Sequence, residues 1–144
     1  MRNNQKEACE LDGADRLRDA LGAVVDEVEN VIILKTFVDH TIDDLALVSN
    51  WREAERMLDR LLSVAERLTG EQVTRIIENT ISNNQVHRSR RMGDQMGEFF
   101  RRTVLRAGAT KASWIRFYRF ISYRQLPSDV SEIQQLIELT MLNK

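Results

Sequence analysis

The sequence predicts an all-α fold, a single-domain bundle of about six helices around a hydrophobic central helix. Three observations support this prediction. One proline and six glycines in 144 residues are too few for the many turns of a β-sandwich. Apolar residues recur at three- and four-residue spacing along most of the chain. A hydrophobic content of 42% is enough for one core at this length. We expect one domain over residues 1–144, with flexible segments at 1–13 and 82–90.

The first helix is predicted over residues 14–37. Its apolar residues follow the helical period and share one face: Leu17, Leu21, Val24, Val25, Val28, Val31 and Ile32. Acidic residues occupy mainly the other side, so we expect a buried apolar face and a solvated acidic one. A polar connector with His40, Thr41, Asp43 and Asp44 is expected to follow.

The second helix is predicted to begin at Asn50, whose side chain can cap the first turn while Glu53 reaches back. Its apolar stripe continues to Leu68, and Gly70 is expected to end it. A third, shorter helix carries Val73, Ile76, Ile77 and Ile81. The polar residues after it predict the loop at 82–90.

Three more helices complete the predicted bundle. The fourth runs from Met92 to Leu105 and stops at Gly108. The fifth begins near Ser113 and is apolar over so much of its circumference that we expect it to be the central helix. Pro127 then interrupts the chain, and Ser128 is expected to cap a sixth helix. That helix has an apolar stripe formed by Val130, Ile133, Leu136, Ile137 and Met141.

No pattern for catalysis or metal binding is present in the sequence. Cys9 is the single cysteine, which excludes an internal disulfide and suits an intracellular, cytosolic location. His40 and His87 have no second ligand at metal-binding spacing. Phosphate-binding loops and nucleophile motifs are absent, so we expect neither an enzyme nor a cofactor. Asp39, His40, Asp43 and Asp44 are better explained by a polar connector than by a metal site.

The chain also has neither a secretory signal nor a run of eighteen apolar residues, so no membrane span is expected. Charge is distributed unevenly, although 21 basic residues nearly balance 22 acidic ones. Residues 1–84 hold 10 basic and 17 acidic side chains, and residues 85–144 hold 11 and 5.

Residues 86–126 contain ten basic side chains, with aromatic residues between them: Arg88, Arg90, Arg91, Arg101, Arg102, Arg106, Lys111, Arg116, Arg119 and Arg124. Arginine binds phosphate and aromatic rings stack on bases, so nucleic-acid binding is one interpretation of this segment. A solvated basic face, with the aromatic residues in the core, is the other.

Two motifs carry a resemblance to a known family. The first is Met57-x-x-x-Leu61-x-x-Val64-Ala65-Glu66-x-Leu68, and the second is Val104-Leu105-Arg106-Ala107-Gly108 followed by Ser113-Trp114-Ile115-Arg116. In this order they resemble the third and first homology regions of the Bcl-2 family of apoptosis regulators. The second homology region and the C-terminal anchor of that family are absent. The resemblance therefore implies a compact viral homologue in the host cytoplasm.

The resemblance implies a function and a site. Pro-survival members of the family sequester the amphipathic death-motif helix of a pro-apoptotic partner in an apolar groove. Arg116 is then expected to pair with the invariant aspartate of that partner. The expected groove residues are Ile76, Ile77, Met96, Phe100 and Val104, and Gly108 belongs to the matching motif. Ordinary core packing is the alternative for each apolar position.

A third interpretation is a structural protein that self-associates. The apolar stripe from Val130 to Met141 would then close a homodimer, or it would complete the core of the monomer.

Overall fold

The computed structural model describes residues 2–104 and 110–142, with side chains described from Ala14 onward. Helices account for nearly all of these residues, and no strand occurs among them, which confirms the all-α bundle. The helices are α1 (Arg2–Leu47), α2 (Trp51–Leu62), α3 (Gly70–Ser82), α4 (Asn84–Arg88), α5 (Met92–Thr103), α6 (Lys111–Tyr123) and α7 (Ser131–Ile137). A 3-10 turn covers Ala65–Arg67, and a π-helical turn covers Glu138–Leu142.

The chain divides into two compact units, Met1–Phe37 and Val38–Lys144, where the sequence predicted one domain. The first unit is helical from Arg2, so the expected flexible segment at 1–13 is part of α1. The apolar face predicted to be buried is exposed. All seven side chains from Leu17 to Ile32 on that face are between 53% and 62% accessible to solvent.

The predicted connector after residue 37 is helical instead. Helix α1 continues to Leu47, and its last turns bury Val38, Ile42 and Leu45 in the second unit. These three residues prolong the apolar spacing of the preceding segment. Polar side chains such as His40 and Asp43 occupy the outer side of the same turns. Apolar periodicity therefore outweighs local polarity here.

Helix α5 is the central helix of the second unit, which corrects the prediction that the helix with Trp114 is central. Eight of its twelve residues are buried: Met92, Gly93, Gln95, Met96, Gly97, Phe99, Phe100 and Thr103. It packs against α2, α4, α7 and the 3-10 turn. Helix α6 packs against α3 and α7, and buries one face only. The share of a helix's circumference that is apolar therefore did not predict which helix the others enclose.

Gly70 begins helix α3 and does not end helix α2. Thr69 caps α3: its Oγ1 accepts a hydrogen bond from the Gln72 amide (3.1 Å), and the Gln72 side chain accepts one from the Thr69 amide (3.0 Å). This reciprocal pair satisfies two amides that a helix start leaves without partners. Helix α2 ends at Leu62, and the predicted cap at Asn50 is present.

The segment predicted as a loop at 82–90 contains helix α4, which buries Val86 and His87. Ser128, predicted to cap the last helix, contacts α5 instead. Its buried Oγ accepts a hydrogen bond from the Gly93 amide at 2.6 Å. Asp129 takes the position near the helix start and accepts from the Ser131 amide at 3.0 Å. The chain between α6 and α7 is thus attached to the beginning of the central helix.

Candidate binding surface

Helix α6 places arginine and tyrosine on the surface by burying its opposite face. Trp114 packs edge-on against Phe100 and Phe117, with ring centroids 5.1 and 5.9 Å apart. Because a helix repeats every 3.6 residues, Arg116, Arg119 and Tyr123 then face away from this core. All three are exposed, and the tyrosine is 87% accessible.

The outward side of α6 forms a shallow cavity of about 430 Å³. It is lined by Ile81, Arg116, Arg119, Phe120, Tyr123 and Arg124. The guanidinium carbon of Arg124 lies 5.2 Å from the centroid of the Phe120 ring. That spacing is within the range of a cation–π contact, which holds the cation against the aromatic floor.

A second cavity, of about 540 Å³, is lined by Trp51, Glu55, Arg88, Arg90 and Pro127. His87 lines neither cavity but lies close to residues of both. The His87 ring packs edge-on against Phe120 at 5.1 Å, and Arg88 is the next residue in the chain. We name the combined surface the arginine–aromatic face and define it by five arginines and three aromatic residues: Arg88, Arg90, Arg116, Arg119, Arg124, Trp51, Phe120 and Tyr123.

Ion pairs are less frequent on this face than in the rest of the second unit, where Arg52, Arg60 and Arg67 are the described arginines without one. Across the rest of the second unit, ion pairs join Arg56 to Glu53, Arg75 to Asp39 and Asp43, Arg91 to Asp59, Arg101 to Glu98 and Glu132, and Arg102 to Glu66. On the arginine–aromatic face only Arg116 has such a partner, Glu78 at 2.6 Å. Among the residues that the structure describes, no carboxylate lies within 4.0 Å of the guanidinium groups of Arg88, Arg90, Arg119 or Arg124. Four cations are therefore available to an anionic ligand.

The surroundings of His87 change the pKa of its imidazole. Its burial lowers the pKa of the imidazole below the usual 6.5, and the positive charge of Arg124 lowers it further. The Nε2 atom is buried and has no hydrogen-bond partner among the described residues. The neutral ring is thus the form that the native structure accommodates, and it supports Phe120 between the two cavities.

The predicted groove residues lie in the core. Ile76, Ile77, Met96 and Phe100 are at most 2% accessible, and Val104 is partly exposed. A ligand helix could reach the four buried side chains only if the bundle opened. Arg116 is exposed and lines the first cavity, whereas Gly108 lies outside the described residues. The structure therefore separates the arginine from the apolar residues expected to accompany it.

Part of the stripe predicted to close a dimer packs inside the chain, while Val130, Leu136 and Met141 are partly exposed. Ile133 and Ile137 are buried, and their helix α7 packs against α5 and α6. Leu139 and Leu142, beyond that helix, are exposed and line a further cavity with Tyr118 and Glu138.

Sequence reasoning found the basic half of the arginine–aromatic face and missed Trp51. This tryptophan fits the apolar stripe of α2, but it stands at the first position of the helix and is 38% accessible. Arg52 lies over its ring, at 5.2 Å from the centroid. A tryptophan at a helix start beside arginine was the available signal, because a first turn often lies outside the packed part of an amphipathic helix.

Among the described residues, no three His, Cys, Asp or Glu side chains are grouped as a metal site requires. Asp39 and Asp43, two of the carboxylates near His40, both accept hydrogen bonds from Arg75. No helix in the described part of the chain is long and apolar enough to cross a membrane.

Comparisons with known proteins show no relative. No family model matches the chain, no curated protein matches it, and no solved structure matches it. The interpretation of the arginine–aromatic face therefore depends on its own chemistry.

Proposed function

We propose that this chain is a non-enzymatic protein that binds single-stranded nucleic acid on the arginine–aromatic face. The observation that carries the proposal is the combination, in two cavities, of four arginines that have no carboxylate partner among the described residues and three accessible aromatic rings. Elsewhere in the second unit, five of the eight described arginines pair with carboxylates, and Arg52, Arg60 and Arg67 do not. The four arginines of this face are available for phosphate, to which a guanidinium can donate two parallel hydrogen bonds.

The aromatic residues favour a single strand over a duplex. Tyr123 is 87% and Trp51 38% accessible, and bases can stack on accessible rings only when they are not paired in a helix. The two cavities on either side of the His87–Phe120 contact provide places for successive bases. The arginines along their rims would follow the backbone phosphates.

The test is fluorescence anisotropy with labelled single-stranded DNA and RNA 12-mers, and with the matching duplexes, over a salt series. We compare the wild type with Arg119→Ala/Arg124→Ala. The control variant is Arg60→Ala/Arg67→Ala, which removes two exposed arginines outside both cavities. We expect the first variant alone to bind at least tenfold more weakly and to lose salt dependence, by roughly 0.7 in log–log slope per phosphate contact removed.

Stacking is tested separately with Tyr123→Ala and Tyr123→Phe. This ring is 87% exposed, so neither change disturbs the core. We expect the alanine variant to lose about 1–3 kcal/mol of binding free energy for each base that stacks on the ring, and the phenylalanine variant to bind as the wild type does. No binding at tens of micromolar protein in low salt, or equal loss in the two double-arginine variants, would contradict the proposal.

Capture of a partner helix, as in the pro-survival Bcl-2 proteins, is the second candidate. The observation that favours it is the Arg116–Glu78 pair at 2.6 Å, because this exposed arginine already holds a carboxylate beside the apolar surface of Ile81 and Phe120. A death-motif aspartate would replace Glu78 there. The burial of the four groove residues requires that the bundle open to admit the rest of the helix.

This candidate is tested by fluorescence polarisation of labelled death-motif peptides with the wild type, Arg116→Ala and Arg119→Ala. We expect saturable binding that falls at least tenfold in the Arg116 variant and much less in its neighbour. Circular dichroism must show that each variant is folded. Absence of binding by any peptide at tens of micromolar protein would remove helix capture.

A further inference from the structure

The longest continuous apolar surface of the described chain lies on the first unit. Seven side chains on the α1 segment from Leu17 to Ile32 are more than half exposed: Leu17, Leu21, Val24, Val25, Val28, Val31 and Ile32. At 100° per residue they occupy an arc of about 120°. Together they expose an area on the order of the largest apolar patch of an ordinary monomer, about 300–600 Å² or more. We name this surface the α1 stripe.

The spacing of the α1 stripe is that of a coiled-coil seam. Steps of four and three residues alternate through six positions, namely Leu17, Leu21, Val24, Val28, Val31 and Lys35. This is the heptad repeat of a coiled coil, in which the side chains of each helix fill gaps between side chains of the other. Val25 and Ile32 flank the seam on one edge and widen it. The acidic side chains Asp15, Asp19 and Asp26 lie on the far side of the helix.

The same repeat continues into a surface that is already used for packing. Its next three positions are Val38, Ile42 and Leu45, which are at most 2% accessible in the second unit. Asn79 and Asn83 of that unit donate hydrogen bonds to the carbonyls of Ile42 and Leu45. The same sequence spacing is thus buried in the second unit and exposed in the first, which marks the α1 stripe as a packing surface without its partner.

We propose that the α1 stripe is a self-association interface, in which the same segment of a second copy of this chain covers it. A second copy offers a seam of the same length, about 28 Å for the nineteen residues from Leu17 to Lys35, and the same period. Such self-complementary pairing about a two-fold axis is the commonest way that proteins form dimers. The inference does not depend on nucleic-acid binding, because it uses a different unit of the chain.

Lys35 favours an antiparallel arrangement. A parallel pair in register places Lys35 opposite its own copy, where two ammonium groups repel each other. An antiparallel pair that overlaps the full stripe is centred at residue 26. Each Lys35 then lies opposite Leu17 at an end of the interface, where its charged group reaches water. Val24 of one copy faces Val28 of the other in this register.

The first experiment is sedimentation velocity of the full chain from 1 to 200 µM. We compare the wild type with Leu21→Glu/Val28→Glu, which places two carboxylates on the stripe. The matched control, Ala23→Glu/Asn30→Glu, adds the same charge to exposed positions on the opposite side of the helix. We expect dimers for the wild type and the control, and at least a hundredfold weaker dimerisation for the stripe variant. A wild type that is monomeric throughout, or dimers that the stripe variant leaves intact, would overturn the proposal.

Disulfide trapping keeps the test valid if the charged variant is poorly folded. Val24→Cys and Val28→Cys are made separately in a Cys9→Ser background and oxidised alone and as a mixture. We expect the mixture to give the cross-linked dimer, as the antiparallel pair requires. Cross-linking of each variant with itself would support self-association in the parallel sense, and absence of any cross-link would contradict self-association.

Discussion

The side chain of Asn83 joins two helix ends: its Nδ2 donates to the carbonyl oxygen of Leu45 at 3.0 Å. The same nitrogen lies 3.2 and 3.0 Å from the carbonyl oxygens of Ala46 and Val48, and its Oδ1 accepts from the Gln85 amide at 2.9 Å. One amide thus satisfies carbonyls at the end of α1 and an amide at the start of α4. Both kinds of group lack partners within their own helices.

We expect Asn83→Ala to lower the free energy of unfolding by about 2 kcal/mol, because it removes a helix cap and leaves carbonyls with fewer donors. Asn83→Asp should lower it further, since a carboxylate would face the negative end of α1. The measurement is urea denaturation followed by circular dichroism. Asn84→Ala is the control, because this neighbour is exposed and makes no side-chain hydrogen bond that the structure describes. Equal losses in the two alanine variants would show that the cap has no special role.

Gly93 lies where helix α5 closely approaches the segment between α6 and α7. A β-carbon at this position would lie 2.0 Å from the carbonyl oxygen of Asp129 and 2.8 Å from Ser128 Oγ. At Gly97, one turn later, the nearest atom would be 3.8 Å away. We expect Gly93→Ala to destabilise the protein by about 3 kcal/mol through overpacking. Gly97→Ala should stabilise it by about 0.5–1 kcal/mol, because alanine favours a helix over glycine. Thermal unfolding of the two variants checks this prediction, and similar midpoints would contradict it.

Some parts of the fold could be predicted from the sequence, and others could not. The helical class followed from apolar periodicity together with the small number of glycines and prolines, and the cap at Asn50 followed from the residue type at a helix start. The extension of α1 through residue 47 was missed because His40, Asp43 and Asp44 resemble a connector. The apolar spacing through Val38, Ile42 and Leu45 was the stronger signal. Gly70 was assigned to the wrong helix end because Thr69 and Gln72, three residues apart, were not recognised as a capping box.

The candidate site was only partly predictable for a different reason. The sequence identifies basic residues but not the carboxylates that pair with them. Arg91, Arg101 and Arg102 have carboxylate partners. Arg119 and Arg124 have none among the described residues. Asp59 lies 32 positions from Arg91 in the chain, and Glu66 lies 36 positions from Arg102. Only the packing of α5 beside α2 and the 3-10 turn brings them together.

Arg91 and Asp59 form a two-point ion pair, with Nη1–Oδ2 and Nη2–Oδ1 distances of 2.9 and 3.1 Å. Partial burial raises the pKa of Asp59, but hydrogen bonds from Arg91 and Gln95 together outweigh it, so the pKa lies below 3.8. Both side chains are about half exposed, and water weakens the interaction. We expect a coupling energy of up to about 1 kcal/mol from a double-mutant cycle with Arg91→Ala and Asp59→Ala.

The pH dependence of this pair has a definite sign. Because the folded pKa of Asp59 is lowered, its contribution is present above about pH 4 and is lost as pH falls through the folded pKa. The coupling energy measured by urea denaturation should therefore decrease as pH is lowered below about 4. The Arg56–Glu53 pair, exposed and three residues apart, is the comparison and should contribute less at every pH. A coupling energy that rises as the carboxyl group is protonated would contradict the assignment.

His87 gives the bundle a second and separate sensitivity to acid. Burial and then the charge of Arg124 lower its pKa below 6.5 in the folded chain, whereas the unfolded chain keeps the ordinary value. Between these two pKa values the unfolded chain binds more protons, so stability falls as pH drops below about 6.5 and levels off below the folded pKa. His87→Phe, which keeps a ring against Phe120, should remove this loss, whereas His40→Gln at an exposed position should retain it. Unfolding midpoints measured from pH 7.5 to 4.5 decide the matter, and a Phe variant as acid-sensitive as the wild type would assign the loss to another group.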